Sequence, residues 1–393
     1  MITRLLTNLL GRLPIGWLQL NHNRTRLLAA VGGVTFANVL IFMQLGFMNA
    51  LFESSVFTHR MFDTDIVIMS SDYQSMREAN PIPRSRMFQA LSVSGVKSVT
   101  PIYIGTRQWT DSEGFDTTNF RIIGVNPTRD VFVDADLNKQ VRNLRFADTG
   151  LVDRRTREFN ASVESSLTAG QETPIEIDGR TIRLIGMFEQ GASFDVDGSL
   201  IVSDQTFLGL FGNRRAGEPT MVLVKTEPSA SVDAVVKQMN ERLPEGDVRA
   251  LSKEEFVAAE QNYQATQTPI GFVFGFGVAI GMVVGMVIVY QVLSTDVQDH
   301  LPEYATFKAI GYPPRFFLGL VFEEAISLAA LGFIPGLVIS LSLYHLAATK
   351  TGLPISMPWN RPLMVLAMTV VMCTVSGAIA TRKLNSADPA ELF

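Results

Sequence analysis

Four long stretches of the chain carry almost no charge, and this feature constrains the fold more than any other. Residues 27–51 run for 25 positions without Asp, Glu, Lys or Arg, whereas an α-helix needs only about 20 apolar residues to cross a bilayer. Similar stretches cover 269–294, 316–348 and 362–381, so the sequence predicts four transmembrane helices. A cleaved signal peptide is the alternative for the first stretch, but its apolar region exceeds the usual length of about 7 to 15 residues and lacks a small-x-small cleavage site.

Basic residues favour a topology with both chain ends in the cytoplasm. The 26 residues before the first apolar stretch contain four arginines and no acidic residue, and basic segments beside spans stay on the cytoplasmic side. Lys308 and Arg315 fall between the second and third stretches, and Arg382 and Lys383 follow the fourth. The sequence therefore predicts an inner-membrane protein with cytoplasmic termini and residues 52–267 in the periplasm.

These features divide the chain into segments of distinct character. The predicted segments are a cytoplasmic amphipathic N-terminal helix (1–26), a first span (27–51), a periplasmic α+β domain with a stalk (52–267), a second span (268–294), a cytoplasmic coupling loop (295–315), a third span (316–348), a short periplasmic loop (349–361), a fourth span (362–381) and a cytoplasmic tail (382–393). In the N-terminal helix, Trp17 lies on an apolar stripe typical of a helix on the membrane surface. The periplasmic segment holds 23 Lys and Arg against 31 Asp and Glu, which argues against nucleic acid as a partner because phosphate binding needs clustered positive charge.

The periplasmic segment alternates short β-rich runs with amphipathic helices, which predicts an α+β fold. The predicted strands are 65–70, 98–110, 119–125, 174–177, 181–188, 200–203 and 221–226, and the predicted helices are 84–91 and 232–243. Asp178 and Gly179 predict a hairpin turn, because both positions of that turn need positive φ. Ser252 and Glu255 have the spacing of a capping box. No strong helix breaker follows until Pro269, which predicts either a nearly continuous stalk into the membrane or an ordinary linker helix.

The sequence lacks the common motifs of nucleotide-binding, zinc-protease and esterase sites. Its four histidines are far apart in the chain, so no metal site is predicted. Cys373 lies in an apolar run and is interpreted as a buried packing residue. We therefore assign no catalytic residue, and a membrane-anchored enzyme with a site that no motif reveals is a further alternative.

Two acidic residues lie inside the third predicted span. Charged groups at membrane depth are costly, so Glu323 and Glu324 are functional candidates. Because they fall near the cytoplasmic end, one interpretation is an interfacial or structural role, through lipid headgroups or Arg315. The other is proton or substrate handling.

The second predicted span carries a row of small residues. Gly277, Gly281 and Gly285 recur every four positions, so one face of the helix allows close approach of another backbone. The spacing is compatible with packing inside the subunit or across a dimer axis.

The predicted cytoplasmic loop contains one compact helix. Pro302 suits its first turn and Gly311 its C-terminal cap. The side chains it would present are Glu303, Tyr304, Phe307, Lys308 and Ile310. Because a helix of about nine residues is marginal alone in water, its apolar side is expected to pack on headgroups or on a partner protein.

The loop and third span resemble a known family. The stretch LPEYATFKAIGYPPRFFLGLVFEEAISLAALGFIPG is similar to the MacB and FtsX class of ABC-transporter permeases, of type VII. The matching positions are Glu303, Lys308, Ala309 and Gly311 in the loop, Glu324 and Ala325 at the span opening, and the pair Gly332 and Gly336. His300 and Pro302 depart from the basic residues usual in the family. The tail LNSADPAELF and the segment VSGVKSVTPIY also resemble the family, and GWLQLNHNRTRLL and FANVLIFMQLGFMNALFESS are similar to DevC-type permeases of cyanobacterial glycolipid exporters.

This resemblance implies an export function and a set of partners. It implies a MacB-like homodimer in the membrane, bound to two copies of a separate DevA-like ATPase that holds ATP and Mg, so this chain needs no cofactor of its own. The residues implied to couple to the ATPase are Glu303, Tyr304, Phe307, Lys308, Ala309 and Gly311. ATP-driven motion would reach the periplasmic domain and drive a lipid-like, glycolipid-like or hydrophobic cargo through a DevB-like adaptor and a TolC-like outer-membrane channel. The alternative is an FtsX-like signalling protein that activates a periplasmic cell-wall hydrolase.

Overall fold

The computed structural model shows the chain divided into two compact units. It describes residues 15–110, 117–157, 159, 161–244, 246–301, 303, 306 and 310–386. We call the described parts of Met1–Asn49, Phe272–Leu346 and Ile355–Phe393 the helical unit, and Ala50–Gly271 with Ala347–Pro354 the sheet domain.

The helices of the described chain differ greatly in length. In order they are α1 (Ile15–His22), α2 (Arg24–Ser55), α3 (Phe57–Met61), α4 (Ser85–Leu91), α5 (Ala135–Val141), α6 (Ala161–Thr168), α7 (Asp204–Leu210), α8 (Val232–Arg242), α9 (Lys253–Thr266), α10 (Pro269–Asp299), α11 (Pro314–Thr351) and α12 (Asn360–Ser386). Helices α2, α10, α11 and α12 are long and apolar enough to cross a membrane. Many of their large apolar side chains, such as Phe272 and Val283, face outward, as lipid contact requires.

Helix α2 contacts each of the other three spans. Its Thr35 hydroxyl donates to the Gly332 carbonyl of α11 over 3.2 Å, and its Asn38 Oδ1 accepts from the Thr369 hydroxyl of α12 over 2.5 Å. Val34 of α2 shares one apolar cluster with Val289 of α10. The core of the helical unit is therefore arranged around α2.

The sheet domain contains nine strands. They are β1 (Ile66–Ser70), β2 (Val96–Thr110), β3 (Thr117–Val125), β4 (Thr149–Asp153), β5 (Thr173–Ile177), β6 (Arg180–Phe188), β7 (Gly198–Ser203), β8 (Met221–Thr226) and β9 (Val248–Ser252). Their order is β3-β7-β4-β6-β5-β2-β8-β1-β9, with β2 also paired to β3. Pairs β3–β7 and β4–β6 are parallel and the others antiparallel.

The long strand β2 belongs to two parts of this arrangement. Its first half pairs with β8, and its second half pairs with β3. Strand β5 pairs with β2 through one residue pair, Trp109 opposite Ile177. The six strands β2, β3, β7, β4, β6 and β5 therefore form a closed ring. Strand β9 lies at the other end of the strand order. There the Asn240 carboxamide of α8 accepts a hydrogen bond from the Ala250 N–H over 2.8 Å and donates one to the Ala250 carbonyl over 2.9 Å.

The predicted fold class, four transmembrane helices with an α+β domain, is confirmed. All seven predicted strands and both predicted helices of the domain are present, and Asp178 and Gly179 form the hairpin turn with φ of 49° and 75°. Strands β4 and β9 and helices α3, α5, α6 and α7 were not predicted. Every residue of β4 is buried, so its sequence shows no alternation, and the four helices are too short for a clear apolar stripe.

The predicted stalk is interrupted before the second span. The capping box is confirmed, because the Ser252 hydroxyl accepts from the Glu255 N–H over 3.2 Å and the Glu255 carboxylate accepts from the Ser252 N–H over 2.9 Å. Helix α9 then ends at Thr266 and α10 begins at Pro269. Two residues thus separate the helices, where the sequence predicts either a nearly continuous stalk or an ordinary linker helix.

Candidate functional site

The predicted coupling loop lies between α10 and α11 in the helical unit. Of its predicted coupling residues, Tyr304, Phe307, Lys308 and Ala309 lie outside the described residues. Glu303 is exposed, and Ile310 exposes 70% of its surface. Gly311 has φ of 103°, the left-handed conformation expected of a residue that ends a helix. The described positions of the loop therefore expose both an apolar and an acidic side chain.

A charged cluster joins the end of α10 to the start of α2. Arg26 donates to the Asp299 carboxylate over 2.6 Å and lies 3.7 Å from the Asp296 carboxylate. His300 Nδ1 lies 3.0 Å from the Asp296 carbonyl oxygen and 3.6 Å from its carboxylate. Asp296 is buried. This cluster holds the chain in place at the start of the predicted loop, where residues 295–299 still belong to α10.

Glu323 and Glu324 extend the same cluster into α11. They are 8% and 0% exposed, so protein, and not lipid headgroups, surrounds them; the Arg315 side chain lies outside the described residues. No N–H or O–H group of the described chain donates to Glu324, and the side chain beside it is the Asp296 carboxyl.

The start of α1 packs against Glu323 and Glu324. The Trp17 N–H lies 3.5 Å from Glu323 Oε1. A Cβ atom at Gly16 would lie 2.8 Å from the Leu320 carbonyl and 3.0 Å from Glu324 Cγ, so a side chain there would displace the helix. The Trp17 side chain, predicted on a membrane-facing stripe, is instead buried in the helical unit.

The glycine row of α10 packs inside the subunit. A Cβ at Gly281 would lie 3.0 Å from Ile41 Cγ1, and one at Gly285 would lie 2.9 Å from Ala37 Cβ. Gly277 is directly against Gln44. All three glycines meet α2 of the same chain, and Gly285 also meets Met372 of α12.

The glycine pair of α11 faces α2 as well. A Cβ at Gly332 would lie 2.5 Å from Val34 Cγ1, and one at Gly336 would lie 2.9 Å from Asn38 Cβ. Distances this short leave no room for a side chain. Both glycine motifs thus place neighbouring spans directly on α2.

The sheet domain holds a second, fully buried polar cluster that the sequence analysis missed. Glu260 of α9 accepts hydrogen bonds from the Tyr73 hydroxyl over 2.9 Å and the Met76 N–H over 3.0 Å. His59 of α3 has its Nε2 3.2 Å from the Tyr73 hydroxyl and 3.3 Å from Glu260. A sequence signal exists in retrospect, since Glu260 and Gln264 follow Phe256 at four-residue spacing on the buried face of α9.

Burial sets the protonation of this cluster. It lowers the pKa of His59, more than the hydrogen bond to Glu260 raises it. His59 Nδ1 is buried with no partner, which fits a neutral ring that donates through Nε2. For Glu260, burial would raise the pKa, but hydrogen bonds from His59, Tyr73 and Met76 outweigh it and leave the pKa lowered.

The residues that the structure describes contain no group of three or more His, Cys, Asp or Glu side chains placed to hold a metal ion. Cys373 is buried in the helical unit.

Comparison with known proteins identifies the family. A family model described as MacB-like periplasmic core domain matches residues 27–242, and one described as FtsX-like permease C-terminal matches residues 275–389. No curated protein matches the chain.

Three solved structures show weak similarity. The periplasmic region of MacB from Actinobacillus actinomycetemcomitans is 12% identical with a TM-score of 0.34, over 51% of this chain and 94% of that one. The extracellular domain of the noncanonic ABC-type transporter YknZ from Gram-positive bacteria is 15% identical with a TM-score of 0.32, over 48% and 98%. A domain of a permease protein from Porphyromonas gingivalis is 16% identical with a TM-score of 0.28, over 49% and 89%.

The assignment rests on the two family models, whose matches lie on the sheet domain with the first span and on the three later spans. Since the first of them alone covers more than half of the sequence, this chain belongs to the family of MacB-like and FtsX-like ABC-transporter permeases.

Proposed function

We propose that this chain is the transmembrane subunit of a DevC-type exporter in the inner membrane, with both termini in the cytoplasm. It works as a homodimer with two copies of a separate ATPase, which binds ATP and Mg. The motion that this ATPase produces enters at the loop between α10 and α11 and reaches the sheet domain in the periplasm.

The observation that carries this proposal is the exposed Ile310. An apolar side chain that exposes 70% of its surface, in a loop that also exposes Glu303, is suited to contact another protein, because contact buries the apolar area and an acid in the same loop adds specificity. The family resemblance points to an ATPase as that protein.

The packing of the helical unit supports transmission from this loop. Arg26, Asp296 and Glu324 tie the loop's two flanking helices to α2 and α1, so a displacement of the loop moves these helices together. One residue separates the end of α2 from the start of α3, and two residues separate the end of α9 from the start of α10. Both connections lead the chain directly into the sheet domain.

Cargo and further partners rest on the resemblance alone. The DevC-like segments support a lipid-like, glycolipid-like or hydrophobic cargo, with a DevB-like adaptor and a TolC-like outer-membrane channel. The sheet domain would then act on the adaptor and cargo while the ATPase acts on the loop.

The test is co-purification of the full chain with its ATPase from native membranes. We expect Ile310→Asp to lower recovery of the ATPase about tenfold, since a charge placed in an apolar contact costs at least about 1.4 kcal/mol. Phe146→Asp is the matched control, because Phe146 is similarly exposed, at 64%, but lies in the sheet domain.

Two results would contradict the proposal. One is recovery of the ATPase at the wild-type level with Ile310→Asp. The other is a deletion strain that retains no lipid or drug but shows a cell-wall or division defect, which would favour the FtsX-like signalling alternative.

A further inference from the structure

The third candidate span ends inside the sheet domain. Helix α11 begins at Pro314, within the predicted coupling loop 295–315, and its end together with the residues that follow, Ala347–Pro354, belongs to the sheet domain. Pro335 removes one backbone hydrogen bond from this helix but does not end it. A single helix therefore connects the loop to the sheet domain, whereas two residues separate α9 from α10.

The side chain of Arg157 binds the end of α11. This residue lies in the segment that follows β4, and its Nε donates to the Thr351 carbonyl over 3.0 Å. Its Nη1 donates to the Asp197 carboxylate over 2.8 Å, and its Nη2 donates to the Ser193 carbonyl over 3.2 Å. The last four carbonyls of a helix have no partner within that helix, and an arginine can supply the missing donor. One guanidinium thus joins the last residue of α11 to two other points of the domain.

The acid that binds Arg157 is itself fixed in the sheet. Asp197 immediately precedes β7, and its carboxylate accepts from the N–H of Asn119 in β3 over 2.9 Å. Its own N–H donates to the Asn119 carbonyl over 2.9 Å, and its carbonyl accepts from the Arg157 N–H over 2.8 Å. Strands β3 and β7 both belong to the closed ring of six strands. Through Asp197, Arg157 is therefore anchored to that ring.

The residue after α11 packs on the same domain. Gly352 has φ of 67°, and its N–H donates to the Ala348 carbonyl over 3.0 Å, as in the left-handed cap that ends many helices. A Cβ atom at Gly352 would lie 3.7 Å from Ala192 Cβ and 3.9 Å from the Arg155 carbonyl oxygen. Two kinds of contact, this packing and the hydrogen bond from Arg157, are thus available to hold the helix end.

We infer that Arg157 is a positioning residue that couples the end of α11 to the strands of the sheet domain, so that motion from the loop reaches the domain through the third span. The inference rests on the proposed function for the source of this motion, but the contact itself does not depend on it. A guanidinium suits this task because its N–H groups lie in a fixed plane and can bind three acceptors together, which the single ammonium of a flexible lysine does not reproduce.

The contact is tested first, on the full chain in lipid nanodiscs without ATPase. Nitroxide labels are attached at Lys350→Cys and Glu176→Cys, two exposed positions of the sheet domain, and Cys373→Ala removes the native thiol. Double electron–electron resonance then gives the width of the distance distribution between the labels. A narrow distribution is expected for the chain that retains Arg157.

We expect Arg157→Ala to widen this distribution about twofold, because the helix end loses a hydrogen bond to a charged donor. Arg157→Lys should give an intermediate width, since it retains the charge beside Asp197 but not the planar group. Arg154→Gln is the matched control, because Arg154 lies in the same segment and pairs with Glu164 over 2.7 Å. Its width should equal that of the wild type.

The transmission is tested next, with the ATPase added. One label stays at Glu176→Cys and the other moves to Ile326→Cys, an exposed position of α11 in the helical unit. We expect Arg157→Ala to hydrolyse ATP at the wild-type rate but to lose about half of the ATP-dependent change in distance, because one of the connections that carry the motion is broken. A merely structural role would lower hydrolysis and motion together.

Three results would overturn the inference. An unchanged width in Arg157→Ala would show that the packing of Gly352 alone holds the helix end. Equal widening in Arg154→Gln would assign the effect to any lost charge in this segment. Parallel loss of hydrolysis and motion in Arg157→Ala would make Arg157 a residue of the fold only.

Failure of the inference is separable from failure of the proposed function. An ATPase that does not bind the wild-type chain would refute the proposed function and transmission through Arg157 with it, even where the first measurement shows the contact. Normal ATP-driven motion in Arg157→Ala would refute the inference alone.

Discussion

The two units both place ionisable side chains beside the ends of candidate spans, but they do so in different environments. In the helical unit the charged cluster reaches the surface, where the Arg26 and Asp299 side chains are 26% and 51% exposed. In the sheet domain the His59–Tyr73–Glu260 cluster is closed off from solvent. An exposed pair is screened and contributes little, whereas removal of one partner from a buried cluster leaves groups that water cannot satisfy.

This difference suggests different tasks. The exposed Arg26–Asp299 pair beside the loop can exchange partners at low cost. The cluster of α3 and α9 fixes two of the segments through which the sheet domain joins the spans. Three measurements, ordered from the largest expected effect to the smallest, would break or sharpen this contrast.

The largest effect is expected for Glu260→Ala. It removes the acceptor of four groups, those of His59, Tyr73, Met76 and Gln264, and should lower the free energy of unfolding of the sheet domain by about 3 kcal/mol. Urea unfolding of the full chain is followed by the fluorescence of Trp109, with Trp17→Phe and Trp359→Phe introduced to remove the other tryptophans. Glu254→Ala, exposed on the same helix, is the control, and equal losses in both variants would contradict the burial argument.

A second effect is expected on acidification. The pKa of His59 is lowered in the native state. Below about pH 6.5 the unfolded chain therefore binds a proton at His59 that the native state does not bind. This stability is fully present above that pH and is lost as the pH falls. The slope approaches about 1.4 kcal/mol per pH unit for one proton. The lowered pKa of Glu260 extends the loss below about pH 4.5. The other groups that act on His59 are Tyr73, Arg60 and Arg121.

The pH effect is read from the same unfolding experiment. His59→Gln should flatten the dependence between about pH 6.5 and 5, and the other three histidines lie in the helical unit. An unchanged slope in this variant would show that the buried ring does not govern acid stability.

The smallest effect is expected for Asp299→Asn. It removes one exposed partner of Arg26, but Asp296 remains 3.7 Å from the guanidinium. The loss in the free energy of unfolding should therefore stay within about 0–1 kcal/mol and diminish with added salt. Thermal unfolding of the detergent-solubilised chain at low and high salt measures it. A loss as large as that of Glu260→Ala would erase the contrast between the two clusters.

Much of the fold could be predicted because the signals are local. Charge-free runs identify spans, and the turn at Asp178 and Gly179 and the cap at Ser252 depend only on neighbouring residues. Strand β4 could not be predicted, since a strand buried on both faces has no alternation. The helix against which the glycines of α10 and α11 pack could not be predicted either, because spacing defines a helix face but not the helix that contacts it.

The candidate site was less accessible to sequence reasoning. Glu323 and Glu324 stood out as acids in a span, but their contacts with Trp17 and Asp296 join residues hundreds or tens of positions apart. The same holds for His59 and Glu260. No local pattern records such pairings.

The pairing of Asn240 with Ala250 has a consequence for the protein in a crowded compartment. Strands β2 to β7 close on one another, so β9 is the outermost strand with a free side among those the structure describes. Free strand sides invite pairing with other chains, which leads to aggregation. By occupying both hydrogen-bonding groups of Ala250, a single carboxamide interrupts that side and protects the domain from edge-to-edge association.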